Sequence, residues 1–222
     1  YQSWKKQERP PYCLCLLSAC WVKAMRRRVL SEYLWAPSTC ELARKAGLDE
    51  SQIVRFDGNV PAWPREYVRP GAVASALATA NTYAHGGYTG LVEAIANYAG
   101  VASENIVLGN GSDDLILLCA RSYAGEGDFV AIANEPTYPV YRIATDLAGA
   151  TVSDEDPVLT FQCRPNNPTG TLNALDSRRP LVVDEAYYEY AGETVVDQIN
   201  NGVIVLRTFS KFFGLAGARI GY

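Results

Sequence analysis

Five short apolar runs limit what this chain can fold into more than any other feature of its sequence. They lie at residues 106–108, 129–133, 158–163, 180–183 and 203–206. Each run has the length of a strand and is bounded by turn residues, which is typical of strands that are buried on both faces of a parallel sheet. Helical patterns lie between several of the runs. The sequence therefore predicts an α/β fold, a three-layer α/β/α large domain with a mostly parallel sheet.

Residues with reactive or hydrogen-bonding groups follow four of these runs. They are Gly111, Ser112 and Asp113 after the first run, Asn167 after the third, Asp184 after the fourth and Lys211 after the fifth. In open parallel sheets, ligands bind in the crevice outside the carboxyl ends of the strands. We therefore expect these residues to meet in one pocket.

Lys211 carries the most specific chemistry of this set. It follows the apolar run 203–206, and its neighbours are a serine, small glycines and phenylalanines, so we expect it in a closed pocket. Burial disfavours the charged form of a lysine, and a second cation such as Arg219 disfavours it further. The neutral amine can then act as a nucleophile towards an aldehyde. A lysine considered alone is more often a solvated surface charge.

Asp184 and the glycine loop suit two other groups of a ligand. An aspartate at the end of a buried strand is costly unless a positive group pairs with it. The glycines at 109 and 111 allow close backbone approach, and the amides of Ser112 and Asp113 at a helix N-terminus bind an anionic phosphate. A dinucleotide site is the alternative for this loop, but it leaves Asn167, Asp184 and Lys211 without a joint explanation.

The stretch SKFFGLAGARIGY at 210–222 resembles the lysine segment of the class I and II aminotransferases, and its details resemble the histidinol-phosphate aminotransferases. The resemblance extends over 30–222 and includes PTY at 136–138, NNPTG at 166–170 and DEAY at 184–187. It implies pyridoxal 5'-phosphate as cofactor, a homodimer, and transfer of an amino group from an amino donor to a 2-oxo acid. An aromatic aminotransferase, an enzyme of the threonine-phosphate decarboxylase type and a non-catalytic fragment remain open.

The same resemblance implies roles around the cofactor ring. Lys211 would hold the aldehyde and move a proton, and Asp184 would face the ring nitrogen. Tyr187 and Asn167 would share the phenolate oxygen. The ring of Tyr138 would stack on the pyridine. These residues are the expected catalytic and ring-binding set.

The resemblance also implies contacts to the phosphate and to the substrate. The expected phosphate site consists of Ser210 and Arg219 with Gly111, Ser112 and Asp113. Asn59 lies in a segment that resembles the substrate-contacting loop of the family. Tyr83 occupies the place of a tyrosine that reaches the cofactor phosphate of the other subunit in a dimer. A loop aromatic that packs on its own domain is the alternative for Tyr83.

Three segments are expected along the chain. Residues 1–29 resemble no part of the family and are interpreted as an N-terminal extension, and 30–67 as an N-terminal arm with the substrate loop. Residues 68–222 are expected to form the cofactor-binding large domain. The family continues into a small C-terminal domain with an arginine that holds the substrate, and no residue here matches it. We therefore expect a fragment of the catalytic domain that does not turn over by itself.

Composition limits the partners that the chain can have. With a net charge of −4 over 222 residues, it has no basic footprint for nucleic acid. None of its apolar runs reaches the length of a membrane-spanning helix. Six cysteines without a regular framework indicate reduced thiols and a cytoplasmic location. No metal site is expected, because the single histidine, His85, has no second imidazole to join it.

Three local patterns bear on the fold. Residues 41–46 are expected to form a short helix that is capped by Ser38 or Thr39 and closed by Gly47. A helix is expected to begin at residue 134 and to extend to residue 147. The connection at 171–179 is shorter than the crossover of about a dozen residues that parallel strands usually need, so its packing is left open.

Overall fold

The computed structural model describes residues 36–61, 69–84 and 86–222. The expected N-terminal extension at 1–29, the start of the arm at 30–35 and the loop residue His85 lie outside the described residues. The expected boundary between arm and large domain, at 67 and 68, also lies outside them.

One parallel sheet organises the described part of the chain. Its strands are β1 (Phe129–Ala133), β2 (Thr151–Val152), β3 (Leu159–Cys163), β4 (Leu181–Asp184) and β5 (Val203–Leu206). The strand order is β2-β1-β3-β4-β5, and every neighbouring pair is parallel. Every residue of β3 and β4 is buried, because both faces of these central strands are covered. The α/β class with a mostly parallel sheet is confirmed.

Helices precede β1 and connect β1 to β2 and β4 to β5, and two of them cover one face of the sheet. The α-helices are α1 (Thr39–Ala46), α2 (Pro70–Ala78), α3 (Thr89–Ala99), α4 (Ser112–Tyr123), α5 (Val140–Ala148) and the single turn α6 (Tyr188–Ala191). Short 3-10 helices lie at Glu50–Gln52, Ser103–Asn105, Val196–Asn201 and Ala216–Ala218. Helices α4 and α5 share the larger hydrophobic core with β1, β3 and β4.

The strand β4 contributes to a core on each side of the sheet. Val182 packs in the larger core with α4 and α5, whereas Leu181 and Val183 pack in a smaller one with Val195 and Val203. Alternate residues of a strand point to opposite faces, so a fully apolar strand requires two covered faces. Irregular chain and the 3-10 helix at Val196–Asn201 cover the second face.

The caps of α1 are as the sequence predicted. Ser38 is the N-cap, and its hydroxyl accepts a hydrogen bond from the amide of Glu41 at 3.2 Å. The Glu41 carboxylate accepts one in return from the Ser38 amide at 2.8 Å. Gly47 ends the helix in a left-handed conformation at φ 69°. This reciprocal capping satisfies donors that a helix N-terminus otherwise leaves unpaired.

The predicted strand at 106–108 is wrong. The segment is not part of the described sheet: the adjacent Gly109 forms an isolated antiparallel bridge with Gly221, and Val107 is exposed. An apolar groove of about 470 Å³ lies between this segment and β5, so no continuous ladder forms there. Strand length and apolarity do not reveal whether a hydrogen-bonding neighbour is present, and here the described sheet ends at β5.

The helix expected from 134 begins later, at Val140. Residues 134–139 form an irregular turn, and Pro139 is the N-cap of α5. Proline lacks the amide hydrogen that a helix interior needs but is tolerated at a helix start. Tyr138 therefore lies in the turn between the end of β1 and α5.

The short connection at 171–179 contains no helix and runs directly from β3 to its parallel neighbour β4. The side chain of Gln162, buried in β3, holds this connection against the sheet through two hydrogen bonds. Its Nε2 donates to the carbonyl oxygen of Ala174 at 2.8 Å, and its Oε1 accepts from the amide of Asp176 at 2.9 Å. Within the described residues, no helix has both the length and the apolarity to cross a bilayer.

Candidate active site

A cavity of about 350 Å³ lies at the carboxyl ends of β3, β4 and β5. This is the place where parallel α/β sheets bind ligands. The cavity brings together predicted site residues from five separate stretches of the chain, namely Ser112, Asp113, Tyr138, Asn167, Asp184, Tyr187, Ser210, Lys211 and Arg219.

Asp184 is the most deeply buried charged group of the cavity, with 3% of its surface exposed. Its Oδ2 accepts a hydrogen bond from the hydroxyl of Tyr141 at 2.8 Å, and its Oδ1 accepts one from the amide of Ala186 at 3.1 Å. Burial raises the pKa of this carboxyl to about 6, and both hydrogen bonds oppose the rise. Asp184 is therefore mostly ionised at neutral pH and can pair with a positive group.

Lys211 presents its amine at the same cavity. The Nζ donates to the carbonyl oxygen of Gly58 at 2.9 Å and lies 5.6 Å from the centroid of the Tyr187 ring. Burial lowers the pKa of Lys211, and the charge of Arg219 lowers it further, while Asp113 and Asp184 act in the opposite direction. The net direction is downward, which makes the amine a better nucleophile at neutral pH than an exposed lysine.

The turn at 57–60 reaches the edge of the cavity. Asn59 donates from Nδ2 to the hydroxyl of Tyr187 at 3.2 Å, and Gly58 and Val60 are lining residues. A second cavity of about 420 Å³ contains Asn59 and shares Val60, Asn167 and Tyr187 with the first. The structure thus brings Asn59 next to Tyr187, although the two are 128 positions apart in the sequence.

Two adjacent asparagines after β3 have different surroundings. Asn166 is buried, with its Oδ1 accepting from the Thr137 hydroxyl at 2.6 Å and its Nδ2 donating to the Thr169 hydroxyl at 2.9 Å. It thereby holds the loop in shape. Asn167 is the one that lines the cavity.

The other end of the cavity suits an anion. Helix α4 begins at Ser112 directly after Gly111, which has φ 84°. The first amides of a helix lack intrahelical partners and carry a partial positive charge. The Arg219 guanidinium lies beside them, with Nη1 3.4 Å from the Ser210 hydroxyl. A Cβ added to Gly111 would lie 2.5 Å from Arg219 Nη2, so glycine is required for this approach.

An acidic side chain also lies at this end. The Asp113 carboxylate is 3.7 Å from Arg219 Nη2 and accepts a hydrogen bond from the Tyr138 hydroxyl at 3.0 Å. The backbone amide of Asp113, at the start of α4, belongs to the anion-binding end. Its carboxylate orients Tyr138, whose ring lies edge-on to Tyr141.

The sequence reasoning did not identify Tyr141 as a residue that contacts Asp184. No sequence signal links Tyr141 to Asp184, which lies at a strand end 43 positions away. Gly58 and Cys163, which also line the cavity, were likewise not singled out.

Tyr83 is not brought to the cavity. Its side chain is 93% exposed, close to the solvent-exposed helix α2. In the described residues Tyr83 does not pack on its own domain, and its contact with another subunit stays a prediction. Among the described residues, no group of three or more His, Cys, Asp or Glu side chains could hold a metal ion.

The family match and two of the most similar relatives are all aminotransferases. The family described as aminotransferase class I and II matches residues 43–156 and 154–222. Histidinol-phosphate aminotransferase from Thermoanaerobacter sp. (strain X514) is 39% identical over 162 residues, 60% of this chain and 46% of the relative. Histidinol-phosphate aminotransferase from Desulfitobacterium hafniense (strain DSM 10664 / DCB-2) is 36% identical over 210 residues, 76% of this chain and 56% of the relative.

A solved structure has the same fold. The crystal structure of histidinol-phosphate aminotransferase from Sinorhizobium meliloti in complex with pyridoxal-5'-phosphate matches with a TM-score of 0.69 and 26% identity. The match covers 85% of this chain and 60% of that one. The chain spans about half the length of the curated relatives it matches. On the extent of the family match and the identity to its members, the chain belongs to the class I and II aminotransferase family.

Proposed function

We propose that this chain is the cofactor-binding part of an aminotransferase that uses pyridoxal 5'-phosphate. The observation that carries the proposal is one cavity lined by both a buried carboxylate, Asp184, and an amine of lowered pKa, Lys211. Perturbed titratable groups that share a cleft are typical of catalytic sites. The cavity volume of about 350 Å³ lies within the range of about 300 to 1,000 Å³ for small-molecule sites.

The residues present fit the ring of this cofactor. A protonated pyridine nitrogen needs a buried anion, which Asp184 supplies. A phenolate oxygen needs hydrogen-bond donors, for which Tyr187 and Asn167 line the cavity. An aldehyde needs an amine, which is Lys211. The aromatic ring of Tyr138 lines the same cavity and is available for stacking.

The anion-binding end fits the cofactor's phosphate. The amides of Ser112 and Asp113 at the start of α4, the hydroxyl of Ser210 and the guanidinium of Arg219 are the proposed ligands. Gly111 allows the guanidinium to approach the helix start. The carboxylate of Asp113 would be the one unfavourable charge, and its hydrogen bond from Tyr138 offsets part of that effect.

The proposed chemistry divides between the cofactor and the chain. Pyridoxal phosphate, when bound, supplies an aldehyde and a ring that accepts electrons. With the cofactor bound, the Lys211 amine would hold its aldehyde carbon, and the same amine, once free, would be the base that moves a proton at the substrate's α-carbon. The Asp184 carboxylate would stabilise the protonated form of the ring nitrogen. The Tyr187 hydroxyl would donate a hydrogen bond to the phenolate oxygen.

The proposed substrates are an amino donor and a 2-oxo acid, with histidinol phosphate as the specific donor; it would leave as the corresponding ketone while the 2-oxo acid becomes an amino acid. The names of the relatives from Thermoanaerobacter and Desulfitobacterium support this choice. Asn59, which lines the adjoining cavity, is the proposed substrate contact. We further propose a homodimer in which Tyr83 reaches the other subunit's site, a cytoplasmic location, and the division into segments 1–29, 30–67 and 68–222.

Reductive trapping tests the cofactor site directly. The purified chain is mixed with pyridoxal phosphate, reduced with borohydride, digested and mapped by mass spectrometry. The expected result is a single dominant adduct on Lys211 that disappears in Lys211→Ala and persists in the matched control Lys45→Ala, an exposed lysine on α1. Equal labelling of Lys45 and Lys211 in a folded chain would refute a specific site.

A further inference from the structure

Tyr141 is a buried tyrosine on α5 to which the family resemblance assigned no chemistry. It is fully buried, and its ring stacks on Phe161 with centroids 5.3 Å apart and planes at 13°. Its hydroxyl donates to Asp184 Oδ2 at 2.8 Å, while the amide of Ala186 donates to Oδ1. Each oxygen of the carboxylate therefore has one donor, and of the two only the hydroxyl can be removed by substitution.

We propose that Tyr141 is a positioning residue whose hydroxyl keeps the Asp184 carboxylate charged and oriented in the cavity, where it can pair with a cationic heteroaromatic ring. The inference rests on the proposed function as far as the ring is concerned. The effect on Asp184 itself is a property of the chain without any ligand.

The Tyr141 hydroxyl keeps its proton in the neutral range and can donate a hydrogen bond to the ionised Asp184 carboxylate. Burial raises the pKa of Tyr141 well above its usual value, and the Asp184 charge raises it further, so its hydroxyl keeps its proton. Burial also raises the pKa of the neighbouring Cys163 thiol to about 12, so this group stays neutral. Tyr141 therefore cannot add a negative charge beside Asp184.

Charged and titratable groups on other elements also act on Asp184. Asp113 at the start of α4 raises its pKa, and Lys211 lowers it. The facing titratable groups are Tyr141 on α5, Cys163 on β3, Asp113 on α4, Tyr187 after β4 and Lys211 after β5. Burial is the largest influence and favours the neutral acid, so removal of one donor shifts the balance towards protonation.

The test is a carboxyl titration of the chain without cofactor. Aspartate is labelled with ¹³C at the side-chain carboxyl, and the Asp184 resonance, assigned by its loss in Asp184→Asn, is followed from pH 4 to pH 9. In Tyr141→Phe, which keeps the stacked ring, the Asp184 pKa is expected to rise by about 1 to 2 units, the shift that corresponds to one hydrogen bond to a charged group. Tyr98→Phe is the matched control, since it removes a phenol hydroxyl that bonds to Glu189 at 3.3 Å.

A stability measurement covers the case in which the titration of Tyr141→Phe is unreadable. The Asp184 pKa of about 6 is above its unfolded value, so its contribution to stability is present at low pH and is lost as the pH rises through 6. If the Asp184 pKa is higher in Tyr141→Phe, the stability of the variant continues to fall up to a higher pH than that of the parent. The melting temperature of the variant should therefore fall further below the parent at pH 8 than at pH 5. In the Asp184→Asn background this pH dependence should vanish.

The outcomes separate this inference from the proposed function. An unchanged Asp184 pKa in Tyr141→Phe, or a stability loss equal at pH 5 and pH 8, would overturn the role of Tyr141 whatever the chain binds. If the Asp184 pKa rises in Tyr141→Phe but the parent chain takes up no pyridoxal phosphate, the role of Tyr141 is supported and the proposed cofactor is refuted. If both hold, the affinity for pyridoxal phosphate at pH 7 should fall about tenfold in Tyr141→Phe and remain unchanged in Tyr98→Phe.

Discussion

Single residues in this site act through close contacts that a side chain would disturb, and Gly111 is the clearest example. Its φ of 84° lies in the left-handed region, and a Cβ would come within 2.5 Å of Arg219 Nη2. The atom that would clash is the end of a flexible side chain, so the structure can respond by moving the guanidinium. The conformational strain and the displacement of Arg219 are thus two separate effects of one substitution.

Gly111→Ala is expected to lower the affinity for pyridoxal phosphate about tenfold or more, because Arg219 would leave the proposed phosphate site. The matched control is Gly127→Ala, since Gly127 has φ 93° and nothing within 4 Å of its added Cβ. Both variants should lose about 1 kcal/mol of stability through the strained backbone. Isothermal titration with the cofactor and denaturant unfolding measure the two quantities. Equal affinity loss in both variants would contradict the specific role of Arg219.

The sequence predicted the residues that lie at strand ends and not those that support them from the side. Asn167, Asp184 and Lys211 follow recognisable apolar runs, so their meeting in one cavity could be expected from the parallel arrangement. Tyr141 reaches Asp184 from a helix, and Gly58 reaches Lys211 across 153 positions. Such contacts depend on how elements pack in three dimensions, which spacing along one chain does not encode.

At the level of elements, a buried ion pair joins the ends of β4 and β5. Glu185 and Arg207 are almost completely buried, and Arg207 donates from Nε and Nη2 to Glu185 Oε2 at 3.0 and 2.9 Å. The guanidinium carbon lies 3.8 Å from the centroid of the Tyr188 ring. The other Glu185 oxygen accepts from the amide of Val195 at 2.7 Å. The pair therefore links the two strand ends and the loop that follows α6.

Arg207→Met is expected to destabilise the chain by about 3 to 5 kcal/mol, because it leaves the buried Glu185 charge without its partner. The double variant Arg207→Met with Glu185→Gln should recover much of the loss, since both charges are then gone and glutamine can still accept from Val195. The exposed pair of Arg142 and Glu135 provides the control, and Arg142→Met should change stability little. Urea unfolding of the four chains measures these differences. A double variant as unstable as Arg207→Met would contradict the argument.

The elements themselves were predictable where burial alone decides them. The runs at β1, β3, β4 and β5 have covered faces and form strands as expected. The run at 106–108 is also apolar but pairs with no strand of the described chain, and the nearest bridge is that of Gly109 with Gly221. Strand formation needs a neighbouring backbone as well as apolar side chains, and the sequence of one segment carries no information about that neighbour.

For the molecule as a whole, an apolar groove of about 470 Å³ lies unfilled beside β5. It lies between β5 and the 106–108 segment and is lined by residues from both, together with α3 and α4. Gly221 bridges to Gly109 on one side and to Thr208 on the other. The amide and carbonyl of Tyr222 both bond to the Arg207 backbone, at 2.9 and 2.7 Å. Chain placed after Tyr222 would therefore enter the groove antiparallel to β5.

A C-terminal extension tests whether this groove accepts a strand. Adding about five residues that are mostly valine and isoleucine after Tyr222 should raise the free energy of unfolding by about 2 kcal/mol, because apolar surface becomes buried and the edges of β5 and 106–108 gain hydrogen-bond partners. A Gly/Ser tail of equal length is the control and should have no effect. Hydrogen exchange adds a local measurement, since the amides at 203–206 and 106–108 should become slower to exchange only with the apolar tail. Equal stability with both tails would mean that the groove does not take a strand, and the antiparallel bridges of Gly221 would then be the end of the sheet rather than its continuation.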